Sequence, residues 1–166
     1  MEPREIAKRY LKAKELKGNK FIDDPNVEKD LGEILLKAGQ KDGEAWCCYF
    51  AEAIFCEAYP QSEVSLRKLF SASCVQTFKN FTAKGFSTGM IPKPNALMIM
   101  QNYKDGAPLM TGHAGIVDSV NQDGTWYSIE GNTNDGGSRE GDSVQLKHRA
   151  NIRKLKGLNL LGFVYV

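Results

Sequence analysis

Residues 46–59 read WCCYFAEAIFCEAY, an apolar run interrupted chiefly by Glu52 and Glu57 and closed by Pro60. A segment this long and apolar on every side reads as a buried helix, ended by the proline that cannot continue it. Ahead of it, Gln40 to Ala45 is a polar turn containing Asp42-Gly43, so Cys47 falls at the helix start. A helix N-terminus favours a thiolate, and the free amides of its first turn can receive the oxyanion of a tetrahedral intermediate. Cys48 points about a quarter-turn away around the same helix. Cys56 and Cys74 fall on apolar helical faces, where cysteine behaves as a small hydrophobe.

Working outward, residues Pro3 to Lys17 read as a basic helix with a thin apolar stripe of Ile6, Tyr10, Leu11 and Ala13. Residues 1–23 are therefore read as a peripheral basic element. A second helix starts after Asp24, which can cap it, with Pro25 at the first helical position. Val27, Leu31, Ile34 and Leu35 give it helical spacing, and Gly39 suits its stop. After the central helix, Leu66, Leu69, Phe70, Cys74, Phe78 and Phe81 mark an amphipathic helix finishing near Gly85.

Beyond Gly85 the pattern changes to short β-rich runs: 96–100, 114–120, 125–129, 143–147 and 160–166. Their spacing reads as an antiparallel meander. Helices first and strands afterwards give an α+β fold, with N-terminal helices packed on a C-terminal antiparallel β-sheet. No repeat, low-complexity tract or linker divides the chain, so residues 1–166 read as one domain.

Only two histidines can serve as the base for a cysteine nucleophile. His113 lies in Gly112-His113-Ala114-Gly115-Ile116-Val117, a strand whose small residues allow close approach. His148 sits between Lys147 and Arg149 near a strand end and reads as surface. Glu130 and Asn132 end the strand after that of His113, and either side chain could fix the imidazole tautomer. The plainer alternative makes residues 131–137 a polar turn, which Asn, Asp and Gly suit. That loop fits a calcium site poorly, lacking the bidentate acid at its end, and it lacks the Lys-Ser/Thr of a phosphate loop.

With 42% hydrophobic and 25% charged residues, the chain has the composition of an ordinary globular protein. A formal charge of +2 makes nucleic acid a poor default partner. The charge is unevenly spread: Arg4, Lys8, Arg9, Lys12, Lys14, Lys17 and Lys20 crowd the N-terminus. Lys147, Arg149, Arg153, Lys154 and Lys156 crowd the C-terminal region, while Asp23 to Glu44 leans acidic. Both basic stretches read as solvated surface, or more sharply as attraction to an anionic polymer such as teichoic acid. The N-terminus lacks an apolar signal region and no run is long enough to span a bilayer, so synthesis in a cytoplasm and no membrane insertion are expected. Four cysteines, two adjacent and none in CxxC, read as reduced thiols rather than disulfides or a zinc site.

Trp46-Cys47, Gly112-His113-Ala114-Gly115-Ile116-Val117 and Ile129-Glu130-Gly131-Asn132-Thr133, in this order, resemble the CHAP family of cysteine, histidine-dependent amidohydrolases and peptidases. Leu161-Gly162-Phe163 also resembles that family's last strand, and the similarity spans roughly 24–166. The chain departs from many relatives in having Cys48 in place of Ala, and Lys93-Pro94-Asn95 in place of Pro-Gly-Asp. The resemblance implies a papain-like cysteine hydrolase fold, with Cys47 as nucleophile, His113 as base, and Glu130 and Asn132 as orienters. It implies cleavage of an amide bond in bacterial peptidoglycan, as an N-acetylmuramoyl-L-alanine amidase or an endopeptidase; the sequence itself singles out no cofactor and no metal-ligating residue. The expected protein is a monomeric phage lysin acting at the cell wall after release. The rivals are an exported bacterial effector amidase, a catalytically silent wall-binding or phage structural module, and a cytosolic thiol protease.

Overall fold

The computed structural model describes residues 1–15, 29–133 and 141–166. Among the described residues, five α-helices, α1 (Pro3–Lys8), α2 (Lys29–Lys37), α3 (Cys47–Ala58), α4 (Glu63–Arg67) and α5 (Cys74–Ala83), precede the sheet. Its strands are β1 (Ser87–Gly89), β2 (Leu97–Lys104), β3 (Ala107–Val120), β4 (Trp126–Thr133), β5 (Ser143–Arg149) and β6 (Gly157–Tyr165). The helices-then-strands order therefore forms the α+β arrangement read from the sequence.

The basic N-terminal helix is shorter than its sequence implies. α1 ends at Lys8, and the chain turns at Lys12, whose φ is +72°. It then bridges to the start of β5, with Lys12 N bonded to Val144 O and Val144 N to Ala13 O, each at 2.9 Å. The open edge of β5 supplies hydrogen-bond partners that a short isolated helix could not match. Ile6, Ala7, Tyr10 and Ala13 are buried in the main core rather than lying at its periphery. The expected helix start at Asp24–Pro25, the Val27 position and residues 16–23 lie outside the described residues.

α2 ends as Gly39 predicts. Gly39, at φ +93°, donates to Leu36 O, while Gln40 N donates to Leu35 O, the paired bonds of a glycine-terminated helix. α3 matches the reading of residues 46–59. Nine of its twelve residues are buried, Glu52 among them because Arg67 Nη1 meets its carboxylate at 2.8 Å.

The expected helix through residues 66–85 is instead two helices. Its break is Ser71-Ala72-Ser73, where local side-chain bonds outcompete the helical ladder. Ser71 N donates to Thr77 Oγ1 at 2.9 Å, and Ser73 Oγ accepts from Gln76 N at 3.2 Å as the cap of α5. Cys74 thus becomes the first residue of a new helix.

The strand order is β1-β6-β2-β3-β4-β5, every pairing antiparallel. β2 to β5 form the expected meander, but β6 returns to the far side of β2 and recruits the unforeseen β1. Hairpin spacing reports neighbours in the chain and says nothing about such a return. One sheet face carries Leu97, Ile99, Ala114, Ile116, Ile129 and Val164 into the helical core. The other carries a smaller cluster of Met98, Met100, Val117, Trp126 and Phe163. Among the described residues, no helix is long and apolar enough to cross a membrane.

Candidate active site

Cys47 is the first residue of α3, behind a firmly held turn. The Gln40 carboxamide donates to the carbonyls of Lys41 and Glu44 at 2.6 and 3.2 Å. Tyr49 hydroxyl donates to Glu44 Oε2 at 2.8 Å, and the Trp46 indole N–H donates to the Glu15 carboxylate. The first intrahelical bond runs from Phe50 N to Trp46 O, so the amides of Cys47, Cys48 and Tyr49 precede the helical ladder. Such amides are the donors an oxyanion needs. A Cβ on Gly131 would lie 2.6 Å from Trp46 Cζ3 and 3.0 Å from Phe50 Cβ, so only glycine lets β4 pass this close to the helix start.

His113 lies in β3 opposite Met100 of β2, completely buried. Its Nε2 meets Glu130 Oε2 at 2.8 Å. Its Nδ1 is buried without a hydrogen-bond partner among the described residues, and the ring interacts electrostatically with Cys47. The register Ile116↔Ile129, Val117↔Ser128 carries Gly115 opposite Glu130. Gly115 has no side chain there, and a Cβ would sit 2.7 Å from Glu130 Cγ. The Glu130 carboxylate crosses this gap to the imidazole. Ser128 Oγ donates to its Oε1 at 2.5 Å, and Arg149 holds it with Nε–Oε1 at 2.8 Å and Nη2–Oε2 at 2.5 Å.

The charges follow from these contacts. A hydrogen bond with Cys74, then the charge of His113, hold the Cys47 thiol well below its ordinary pKa, although burial opposes this; the backbone of Ala114 adds to the effect. Burial works against charge on His113, but the Cys47 thiolate and Glu130 outweigh it and raise the imidazole to about 9. Burial likewise opposes charge on Glu130, yet Arg149 and His113 bring it down to about 2. These contacts favour a thiolate–imidazolium pair anchored on a carboxylate–guanidinium pair.

The structure thus brings together Cys47, His113 and Glu130 from the candidate set. Asn132 is buried, but its φ of +55° and the adjoining register shift break the strand alternation that would align it with Glu130. The imidazole Nε2 bonds to Glu130. Cys48 turns away to Thr77 Oγ1 at 3.3 Å. Burial pushes the Cys56 thiol up to about 11. His148 is exposed, bonded to Thr125 Oγ1 and packed on Tyr127.

Two participants escaped the sequence reading. Cys74 Sγ lies 3.6 Å from Cys47 Sγ, brought there by the new helix start at Ser73; the Ser-Ala-Ser interruption was the available signal. Arg149 sat within a basic stretch read as surface, yet a buried Glu130 requires a cation. Arg149 also lines a cavity of about 520 Å³ together with Met100, His148, Lys154 and Lys156. Among the described residues, no three or more His, Cys, Asp or Glu side chains are grouped to hold a metal ion.

The model of the CHAP domain matches residues 39–132, more than half of the chain. The match runs from the stop of α2 through the thiol, the imidazole and the carboxylate. No curated protein matches the sequence.

Proposed function

We propose, from the premise that the chain belongs to the CHAP domain family, that it is a single-domain, papain-like cysteine hydrolase cutting an amide bond of peptidoglycan. Membership implies peptidoglycan hydrolase activity of amidase or peptidase type; the roles of individual residues are our reading. What carries it is the thiol at a helix start beside a buried imidazole whose other nitrogen is tied to a carboxylate.

In this reading the Cys47 thiolate attacks the amide carbonyl carbon, and the first-turn amides of α3 receive the oxyanion. His113, as imidazolium, gives a proton to the departing amine as the C–N bond breaks and a thioester remains. His113 then takes a proton from water, whose oxygen attacks the thioester, and the acid product leaves as the thiolate is restored. Glu130 keeps the ring oriented throughout and favours its protonated form, and Arg149 keeps Glu130 ionised. The cations at the neighbouring cavity suit carboxylates of wall peptides.

Purified protein is expected to clear peptidoglycan in a zymogram. Cys47→Ala should abolish clearing and Cys48→Ala should largely keep it; clearing that survives Cys47→Ala overturns the assignment. Binding to walls without clearing would favour a silent module. Mass spectrometry of the digest, by locating the newly freed amine, separates amidase from endopeptidase. The setting we assign is a phage lysin, with an exported effector amidase as rival. Lysis of intact target cells from outside supports the first, and toxicity only on delivery to the periplasm supports the second.

A further inference from the structure

Cys74 has no part in the proposed hydrolysis, yet its sulfur is 3.6 Å from that of Cys47, and both are buried. The two residues open different helices, α3 of 12 residues and α5 of 10, so two helix N-termini converge on one pair of sulfurs. Ser73 fixes the second helix start, accepting from Gln76 N and donating to Met110 O at 3.0 Å, which ties α5 to β3. Cys48, the other thiol nearby, is bonded to Thr77 Oγ1, while Cys56 lies farther along α3 against Glu63 O.

We propose that Cys74 is a resolving thiol for Cys47, so that hydroperoxide converts the pair to an intrachain disulfide that reversibly silences the hydrolase. The silencing rests on Cys47 being the nucleophile; the crosslink itself does not. In the first step the Cys47 thiolate attacks one peroxide oxygen, the O–O bond breaks, and the hydroxide released takes up a proton as water. The sulfenic acid formed is then attacked by the Cys74 sulfur. The S–O bond breaks, and the oxygen leaves as a second water with the proton of Cys74. Two thiols lose two electrons, and one peroxide becomes two waters.

Geometry favours this outcome over deeper oxidation. The sulfurs need approach by only about 1.5 Å to reach a disulfide bond length. The partners also have complementary states: Cys47 is held as thiolate, while its bond with Cys47, the proximity of Cys48 and burial keep Cys74 a thiol. A sulfenic acid with a thiol in contact condenses before a second peroxide arrives, which spares the nucleophile from irreversible sulfinic acid.

The test treats the Cys48→Ser protein with hydrogen peroxide, blocks remaining thiols, and maps tryptic peptides. A crosslink between peptides 42–67 and 69–79, assigned by fragmentation to Cys47 and Cys74, is expected, with clearing lost and then restored by dithiothreitol. The same treatment of Cys74→Ser, and of Cys74→Ala as a second variant, should leave Cys47 as sulfinic or sulfonic acid, with loss that dithiothreitol does not reverse. Sulfinic acid at Cys47 in the protein that retains Cys74, or a crosslink through Cys56, overturns the proposal. A Cys47–Cys74 crosslink in a protein that never clears peptidoglycan upholds the thiol pairing and removes the hydrolase reading instead.

Discussion

Arg149 grips Glu130 as a fork, Nε to Oε1 at 2.8 Å and Nη2 to Oε2 at 2.5 Å, so the carboxylate bonded to His113 is itself anchored from β5. Glu130 is completely buried, and Arg149 is its nearest full cation. Removing one partner of such a pair strands the other, at a cost of about 3–5 kcal/mol. Arg149→Ala should therefore lower the melting temperature by roughly 6–20 °C for a chain of this size. Arg149→Lys should recover part of that, keeping the charge but not the fork. Calorimetry of the three proteins decides the matter, and an unchanged midpoint for Arg149→Ala would dismiss the anchor.

A pH profile should follow from the same charges. The proposed reaction needs Cys47 ionised, a state favoured well below the ordinary thiol range, and His113 protonated, which holds up to about 9. The clearing rate should stay level through neutrality and fall above about pH 9, as the leaving amine loses its proton donor. Stability behaves differently. Between 6.5 and 9 the raised His113 lowers stability as pH rises, while the depressed Cys47 raises it, because the folded pair has only moved one proton between partners. The acid limb belongs to Glu130, whose contribution is complete above 4.5 and is lost as pH falls toward about 2. Rates and melting temperatures across pH 3–10 would expose a failure as an alkaline limb shared by both.

The raised pKa of His113 should depend on the sulfur. In Cys47→Ala the thiolate is gone, burial still opposes the charge, and only Glu130 supports it. The imidazole should then titrate well below 9, followed through its ring protons by NMR. A His113 titration unmoved by the substitution would mean that the two groups are not paired.

Much of this arrangement is written locally. The buried helix from Cys47, its stop before Pro60 and the strand of His113 follow from apolar runs and turn residues close in sequence. What was not legible depends on distant partners. α1 stops early because the edge of β5, more than 130 residues away, offers better hydrogen bonds to residues 12–15. Cys74 looked like core because an apolar period runs through Ser71-Ala72-Ser73, and the bonds from Thr77 back to Ser71 turn that weak interruption into a break. Arg149 looked like surface because its partner is fixed by the β4–β5 register. The positive φ of Asn132, which takes it out of simple strand alternation with Glu130, was likewise not legible.

Gly115 provides the sharpest separation of packing from chemistry, since it touches none of the proposed reacting atoms. Its missing Cβ would stand 2.7 Å from Glu130 Cγ, with Ile129 O and Met98 Cε at 3.2 Å on either side. A free glutamate could swing away, but this one is held by His113, Ser128 and Arg149 at once. Gly115→Ala should therefore shift the carboxylate off the imidazole, costing about 1–3 kcal/mol of stability from overpacking. The loss of clearing should exceed what that destabilisation explains at temperatures where the variant is fully folded. The signature is a lowered His113 pKa by NMR in a protein with native circular dichroism. Full activity in Gly115→Ala would mean that Glu130 is not the group that orients the imidazole.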